Sequence, residues 1–150
     1  MNTVDPMELF GAMRRINGLT HRFMKKTSCG TPLKGYHLMY LVRLESCGPQ
    51  AARDLSHALD ADKGHTSRVL SDLISYGYVE KSGPERMASL SLTDEGRKLA
   101  SRALSSIREL DLRLRQAVSQ EDFEAFLRVL DALSRSLDAD CPPRALGGAY

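Results

Sequence analysis

Apolar side chains recur at helical spacing along most of the chain, and the pattern predicts four long helices. They are expected over residues 6–26, 35–46, 93–117 and 119–137. The second of them is apolar on more than one side, so we expect it to be central and to contact several other helices. The content of Gly, Pro, Ser and Thr predicts a loop between the first two, over residues 27–35.

A shorter pattern lies between the second and third long helices. Residues 50–59 predict a short helix whose inward face is made of Ala52, Leu55 and Leu59. Asp60 and Ala61 predict a tight turn. A second helix then runs from its N-cap Asp62 to the terminating Gly77, with an inward face made of Thr66, Val69, Leu70, Leu73 and Ile74.

Alternating positions after this helix predict a small β-hairpin. Residues 78–81 and 87–92 have strand patterns, and the turn residues at 82–86 join them. Two short helices with a tight turn, followed by a hairpin, are the order of elements in a winged helix-turn-helix. The predicted fold is therefore mainly α with a small β-hairpin wing, and the winged helix-turn-helix is expected at 50–92.

The outward face of the helix after Asp62 is unusual for a surface helix. Good helix formers normally fill such a face, but here it carries Lys63, Gly64, His65, Ser67 and Arg68. The second helix of a helix-turn-helix enters the major groove of DNA, so it needs small residues for close approach and donors for bases and phosphates. Gly64 would allow approach, Lys63 would reach a phosphate, and Arg68 would pair with guanine. The alternative is a solvated helix in an all-α domain.

The long helices outside this unit carry more apolar surface than a domain of about 60 residues can cover. A second copy of the chain would cover it, through residues 6–26 and 93–137. A homodimer would also present two recognition helices one duplex turn apart to a pseudo-palindromic site in double-stranded DNA. We therefore expect residues 1–150 to form a single dimerising domain, with a mobile tail at 138–150.

Composition and charge narrow the class of protein further. The net charge of +2 is too small to name a partner. No apolar run approaches the ~18 residues that a membrane helix needs, and the N-terminus lacks the pattern of a secretory signal, so a cytoplasmic protein with no membrane partner is expected. Residues 50–92 contain nearly equal numbers of acidic and basic residues, which leaves open a winged-helix module that binds a partner protein rather than DNA.

The segment DLSHALDADKGHTSRVLSDLISYGYVEK, followed by SLSLTDEGRKL, resembles the MarR family of bacterial transcription regulators. The residues that stand in the places of the family pattern are Leu55, Leu59, Ser67, Arg68, Leu73, Gly77, Val79, Leu92, Thr93, Gly96 and Arg97. The match is specific over residues 50–100, and the flanking helices match in order and length. The resemblance implies a homodimeric regulator, most often a repressor, that a small phenolic or lipophilic effector releases from its operator.

The resemblance also implies roles for residues outside the recognition helix. Family members bind their ligand between the dimer helices and the winged helix, where the candidate lining residues are Met13, Tyr36, His37 and Tyr40, although such residues are also typical of a plain core. The family's wing arginine falls on Arg86 and is expected to enter the minor groove. The wing is shorter than is usual in the family, and Pro84 stands where an Asp would orient that arginine.

Candidate redox, metal and catalytic chemistry is sparse. The three cysteines are far apart, which argues against a disulfide framework or a CxxC knuckle. Cys29 follows two lysines in a predicted loop and is the candidate oxidant sensor, because cationic neighbours lower the pKa of a thiol. No close pair of ligands predicts a metal site, and neither a nucleophile–base pair nor a phosphate loop predicts an enzyme or a cofactor.

Overall fold

The computed structural model describes residues 5–140, apart from the side chains of residues 6, 86 and 137–140. This part of the chain is mainly helical, with one two-stranded hairpin. In chain order the elements are α1 (Pro6–Thr27), α2 (Gly35–Cys47), α3 (Ala52–Ala58), α4 (Lys63–Ser75), β1 (Val79–Ser82), β2 (Ser89–Leu92), α5 (Asp94–Gln116) and α6 (Gln120–Asp140). The predicted fold class, mainly α with a small β-hairpin wing, is confirmed.

Side-chain caps explain where the C-terminal helices begin. The hydroxyl of Thr93 accepts a hydrogen bond from the N–H of Gly96 at 3.1 Å before α5. The hydroxyl of Ser119 accepts one from the N–H of Asp122 at 3.1 Å before α6. Each bond satisfies an N–H group that has no partner within its own helix. Thr93 and Ser119 are therefore local signals, and they are the reason that the predicted starts of these two helices agree with the structure.

The end of α6 differs from the prediction by three residues. The helix continues to Asp140, whereas the sequence pattern predicts its end at residue 137 and a mobile tail from 138 onwards. Residues 138–140 are helical, because this stretch contains no Gly or Pro that would stop the helix. The remainder of the predicted tail, 141–150, lies outside the described residues.

Helix α2 lies at the centre of the fold, as its apolar pattern predicts. Its Leu38 and Leu41 are fully buried, and it packs against α1, α5 and β2. The core around it is completed by residues from the other elements, among them Leu55, Val69, Leu73, Val79, Leu90, Leu99 and Ala103.

Two residues that the pattern places on inward faces are exposed instead. Ala52 is exposed at the start of α3, because a helix of seven residues presents only a narrow face to the core and Leu55 fills it. Ile74 is 38% exposed. It lies at the edge of the face of α4 that Val69, Leu70 and Leu73 bury, near the end of the helix.

The hairpin is antiparallel, with Val79 opposite Leu92 and Lys81 opposite Leu90. Val79, Leu90 and Leu92 are buried, so one face of the hairpin belongs to the core. The backbone of Gln50 also exchanges two hydrogen bonds with Leu90, at 3.1 and 2.9 Å. The segment before α3 is thereby attached to the hairpin, which fixes the wing relative to the helix-turn-helix.

Gly96 brings the start of α5 against the hairpin. A Cβ atom at this position would overlap the carbonyl oxygen of Tyr78 and lie 2.9 Å from its carbonyl carbon. Thr93 stabilises the same junction, since its hydroxyl donates to the carbonyl of Gly77 at 2.6 Å and its N–H donates to the carbonyl of Tyr78 at 3.1 Å. The Thr-x-x-Gly spacing therefore joins the wing to the long C-terminal helices.

The long helices α1, α5 and α6 leave many apolar side chains on the surface. Residues at least 41% exposed include Met7, Leu9, Phe10, Met13, Ile16, Leu19, Leu112, Leu114, Phe126, Leu127, Val129, Leu130 and Leu133. These faces alternate with charged residues, and no helix in the described range is long and apolar enough to cross a membrane.

Candidate nucleic-acid interface

Helix α4 is held by its inner face and by a cap at its start. Thr66 and Val69 are buried on its inner side. The carboxylate of Asp62 accepts a hydrogen bond from the N–H of His65 at 2.7 Å. This bond engages the one acidic side chain at the start of the helix, and its negative charge lies at the positive end of the helix dipole. The rest of the first turn is free of acidic residues.

The five residues predicted to bind DNA from this helix are brought together on its first two turns. Lys63, Gly64, Ser67 and Arg68 are exposed, and His65 is half-buried. None of the ion pairs among the described residues involves Lys63 or Arg68. The surface therefore presents two cations, a hydroxyl and an imidazole around a glycine, and these donors can reach phosphates and base edges.

The wing is shaped by the turn between β1 and β2. Gly83 has a φ of 86°, a conformation that favours glycine, and a 3-10 turn at Glu85–Met87 follows. This turn contains the backbone of Arg86, while its side chain lies outside the described part of the structure. The structure therefore places the predicted wing arginine at the tip of the hairpin and leaves its contact with DNA as a prediction.

Comparisons with known proteins agree with this geometry. Residues 33–96 match the family described as a winged helix DNA-binding domain. A curated relative, the HTH-type transcriptional regulator BilQ of Clostridium symbiosum (strain WAL-14163), is 28% identical over 107 residues, which are 69% of this chain and 72% of the relative. The fold is similar to that of a MarR transcriptional regulator from Methanosarcina mazei Go1, with a TM-score of 0.73, 21% identity, and coverage of 90% of this chain and 92% of that chain.

The chain has the fold of solved MarR-family regulators, and its residues 33–96 match the family of winged helix DNA-binding domains. It is also similar to MepR of S. aureus, solved in complex with DNA, with a TM-score of 0.78, 19% identity, and coverage of 89% of this chain and 98% of that chain. The description of the matched family assigns DNA binding to residues 33–96. The prediction that the chain is not an enzyme agrees with the DNA-binding description of the matched domain.

Three of the four residues predicted to line a ligand pocket contact α4. The Tyr40 hydroxyl lies 3.1 Å from the hydroxyl of Thr66. His37 lies 3.2 Å from the carboxylate of Asp72, and the ring of Tyr36 meets the ring of His65 edge-on at 5.3 Å. The sequence did not predict that His37 pairs with Asp72 or that Tyr40 pairs with Thr66. These pairs are 35 and 26 positions apart, and no local sequence pattern connects residues at such distances.

The burial of Tyr40 also affects its ionisation. Tyr40 is buried against α4, and this burial raises the pKa of its hydroxyl. The hydrogen bond with Thr66 lowers the pKa by less, and the nearby charge of Asp62 adds a smaller increase. The neutral phenol is therefore the form that the folded protein favours.

A cavity in the described part of the chain lies away from the predicted pocket. It has a volume of about 580 Å³ and lies between α1 and α5, where its lining includes Phe23, Lys26, Thr27, Ser105, Arg102 and Arg113. None of the four predicted pocket residues lines it. Met13, the fourth of them, is 54% exposed on α1. The location of an effector site therefore stays a prediction.

The remaining candidate chemistry concerns the cysteines and histidines. Cys29 is exposed directly after α1, and Cys47 is exposed at the end of α2. Cys141 lies outside the described residues. Within residues 5–140, no group of three His, Cys, Asp or Glu residues is arranged to hold a metal ion. The proposal that Cys29 senses oxidants stays a prediction.

Proposed function

We propose that this chain is a MarR-family repressor that binds a pseudo-palindromic operator as a homodimer and is released by a small phenolic or lipophilic effector. The observation that carries the proposal is the exposed face at the start of α4, where Lys63, Gly64, Ser67 and Arg68 lie together. Acting on operator DNA, the protein would work in the cytoplasm.

Each residue of this face has a proposed role. Arg68 donates two hydrogen bonds to one guanine, and Lys63 binds a backbone phosphate. Gly64 lets the helix approach the floor of the groove, while His65 and Ser67 donate to base edges or phosphates. At the tip of the wing, the side chain of Arg86 enters the minor groove. The S. aureus MepR structure, which contains DNA, supports a DNA complex for this fold.

The proposed homodimer rests on apolar surface that one chain leaves uncovered. Phe10 of α1 is 64% exposed, Ile16 is 56% exposed and Leu130 of α6 is 41% exposed. Monomeric soluble proteins rarely expose apolar patches larger than a few hundred Å², and a stable protein interface buries about 1,200–2,000 Å². Helices α1, α5 and α6 of a second copy would supply such an interface and would place two copies of α4 side by side.

The proposed release mechanism uses the junction between α2 and α4. Tyr40 and His37 hold α4 through Thr66 and Asp72. An effector that bound more tightly to the conformation without DNA would change the spacing of the two recognition helices and lower the affinity for the operator.

Selection from random duplex DNA is the experiment that tests the proposal. The purified protein is used to select bound fragments, and the enriched sequences are then retested over a series of salt concentrations. We expect a pseudo-palindrome with half-sites about one helical turn apart, bound less tightly as salt rises because phosphate contacts release counterions. A folded dimer that enriches no sequence, even after refolding to remove a bound ligand, would contradict the proposal and favour the protein-binding alternative.

Arg68 provides the sharpest single test. Arg68→Ala should weaken operator binding by about 1–3 kcal/mol and relax the preference at one base pair of each half-site. Arg108→Ala is the matched control, because it removes an exposed arginine of α5 that lies outside the winged helix. Equal affinities for the two variants would contradict the proposed role of α4.

A further inference from the structure

The ring of Tyr36 lies between the centre of the fold and the DNA-facing helix. Tyr36 is in the first turn of α2 and is half-buried. Its ring stacks on the ring of His37, with 4.4 Å between centroids and 26° between planes. The same ring meets His65 of α4 edge-on, at 5.3 Å and 60°. The distance to His65 lies within the range of about 4.5–7 Å for favourable aromatic pairs, and the distance to His37 lies at its lower edge.

The stacking partner of Tyr36 is itself fixed. His37 is 2% exposed. Its Nδ1 accepts a hydrogen bond from the N–H of Lys34 at 3.0 Å, so its Nε2 carries the proton and donates to the carboxylate of Asp72 at 3.2 Å. Asp72 belongs to α4, and His37 therefore joins the start of α2 to the recognition helix through a buried hydrogen-bonded ring.

A cation also lies near the Tyr36 ring. The ammonium group of Lys34 lies 6.0 Å from the ring centroid, at the limit of a cation–π contact. The ring is thus bounded by His37, by Lys34 and by the edge of His65. An exposed histidine on a free helix would sample several rotamers, whereas His65 has a rigid aromatic neighbour on one side.

We propose that Tyr36 is a positioning residue for DNA recognition, which holds the imidazole of His65 in one orientation on the DNA-facing surface. This inference rests on the proposed function and adds a residue outside the helix-turn-helix to the determinants of specificity. Holding a contacting side chain in its bound orientation reduces the entropy that is lost when the complex forms. The base or phosphate contact of His65 therefore depends on a residue that need not touch DNA.

A double-mutant cycle on operator affinity tests the inference, using the operator obtained by selection. The single variants are Tyr36→Phe, Tyr36→Leu and His65→Ala, and the fourth protein combines Tyr36→Leu with His65→Ala. Phenylalanine keeps the ring, so Tyr36→Phe should bind like the parent protein. Tyr36→Leu should lose about two- to tenfold in affinity, the range of an aromatic pair, and should relax the same base preference as His65→Ala. In the His65→Ala background, Tyr36→Leu should have no further effect.

A control variant and two further measurements distinguish a specific effect on His65 from a general loss of structure. Tyr76→Leu removes a tyrosine that is 47% exposed at the end of α4 and should leave affinity and base preference unchanged. Unfolding midpoints are measured for every variant to detect a general loss of stability. The ring-proton NMR shifts of His65 are measured as well, because loss of the neighbouring Tyr36 ring should change them whether or not the stability changes. Equal losses from Tyr36→Leu with and without His65, or unchanged His65 shifts, would overturn the inference while the proposed function stands. A parent protein that selects no operator would overturn both.

Discussion

Replacing Gly96 by alanine should weaken the junction between α5 and the hairpin. The new Cβ atom would overlap the carbonyl oxygen of Tyr78, lie 2.9 Å from its carbonyl carbon, and lie 3.4 Å from Cδ2 of Leu92. Tyr78 presents backbone here, and its carbonyl already accepts the N–H of Thr93 at 3.1 Å. The backbone carbonyl of Tyr78 cannot rotate away as the end of a flexible side chain would. Helix α5 therefore has to move relative to β1.

The expected magnitude is the difference between two opposing effects. Inserting a methyl group into a filled site costs about 1–3 kcal/mol, and a backbone neighbour places Gly96→Ala at the upper end of that range, about 3 kcal/mol. Alanine in a helix gains about 1 kcal/mol over glycine. The net loss is about 2 kcal/mol, which corresponds to a fall in the unfolding midpoint of roughly 4–8 °C for a chain of this size.

Thermal unfolding followed by far-ultraviolet circular dichroism measures this loss. All proteins are compared at one concentration, because the midpoint of a dimer depends on concentration. Gly18→Ala is the matched control, since Gly18 also lies within a helix but an added Cβ would meet nothing within 4 Å. Its midpoint should stay the same or rise. A Gly96→Ala midpoint equal to that of the parent protein would refute the argument that the wing and α5 are in backbone contact.

Three further predictions concern the cap, the α2–α4 junction and the dimer. Asp62→Ala removes the acceptor for the recognition helix and should lower the free energy of unfolding by about 1 kcal/mol in a urea titration, whereas Asp62→Asn should stay close to the parent protein. Tyr40→Phe leaves the buried hydroxyl of Thr66 without its partner and should cost about 1–3 kcal/mol at neutral pH. Because burial raises the pKa of Tyr40, the unfolded chain loses this proton first as the pH rises beyond about 10, so stability falls with rising pH there and Tyr40→Phe should reduce that fall. Leu130→Asp places a charge on an apolar face of α6 and should shift the proposed dimer towards monomer in sedimentation experiments.

The contrary results are equally specific. An Asp62→Ala protein as stable as Asp62→Asn would mean that the cap contributes nothing. An alkaline loss of stability unchanged in Tyr40→Phe would mean that another group causes it. A Leu130→Asp protein that dimerises with parental affinity would remove this face of α6 from the interface.

The helices, the hairpin and the outward-facing residues of α4 follow from local patterns in the sequence. Helical spacing over 63–75 separates buried Val69 and Leu73 from exposed Ser67 and Arg68, because a helix fixes which residues share a face from spacing alone. The cap residues Asp62 and Thr93 act within three positions of themselves, so their effect is also readable from the sequence.

What the sequence by itself determined is therefore the order of the elements, the winged helix-turn-helix and the face of α4 that is turned outwards. The tertiary structure decided which distant residues meet: His37 with Asp72, Tyr36 with His65, and Gly96 with Tyr78. It also decided that Tyr36, His37 and Tyr40 contact α4. The physical reason is that periodicity and capping act over a few residues, whereas these contacts depend on how complete helices pack against one another.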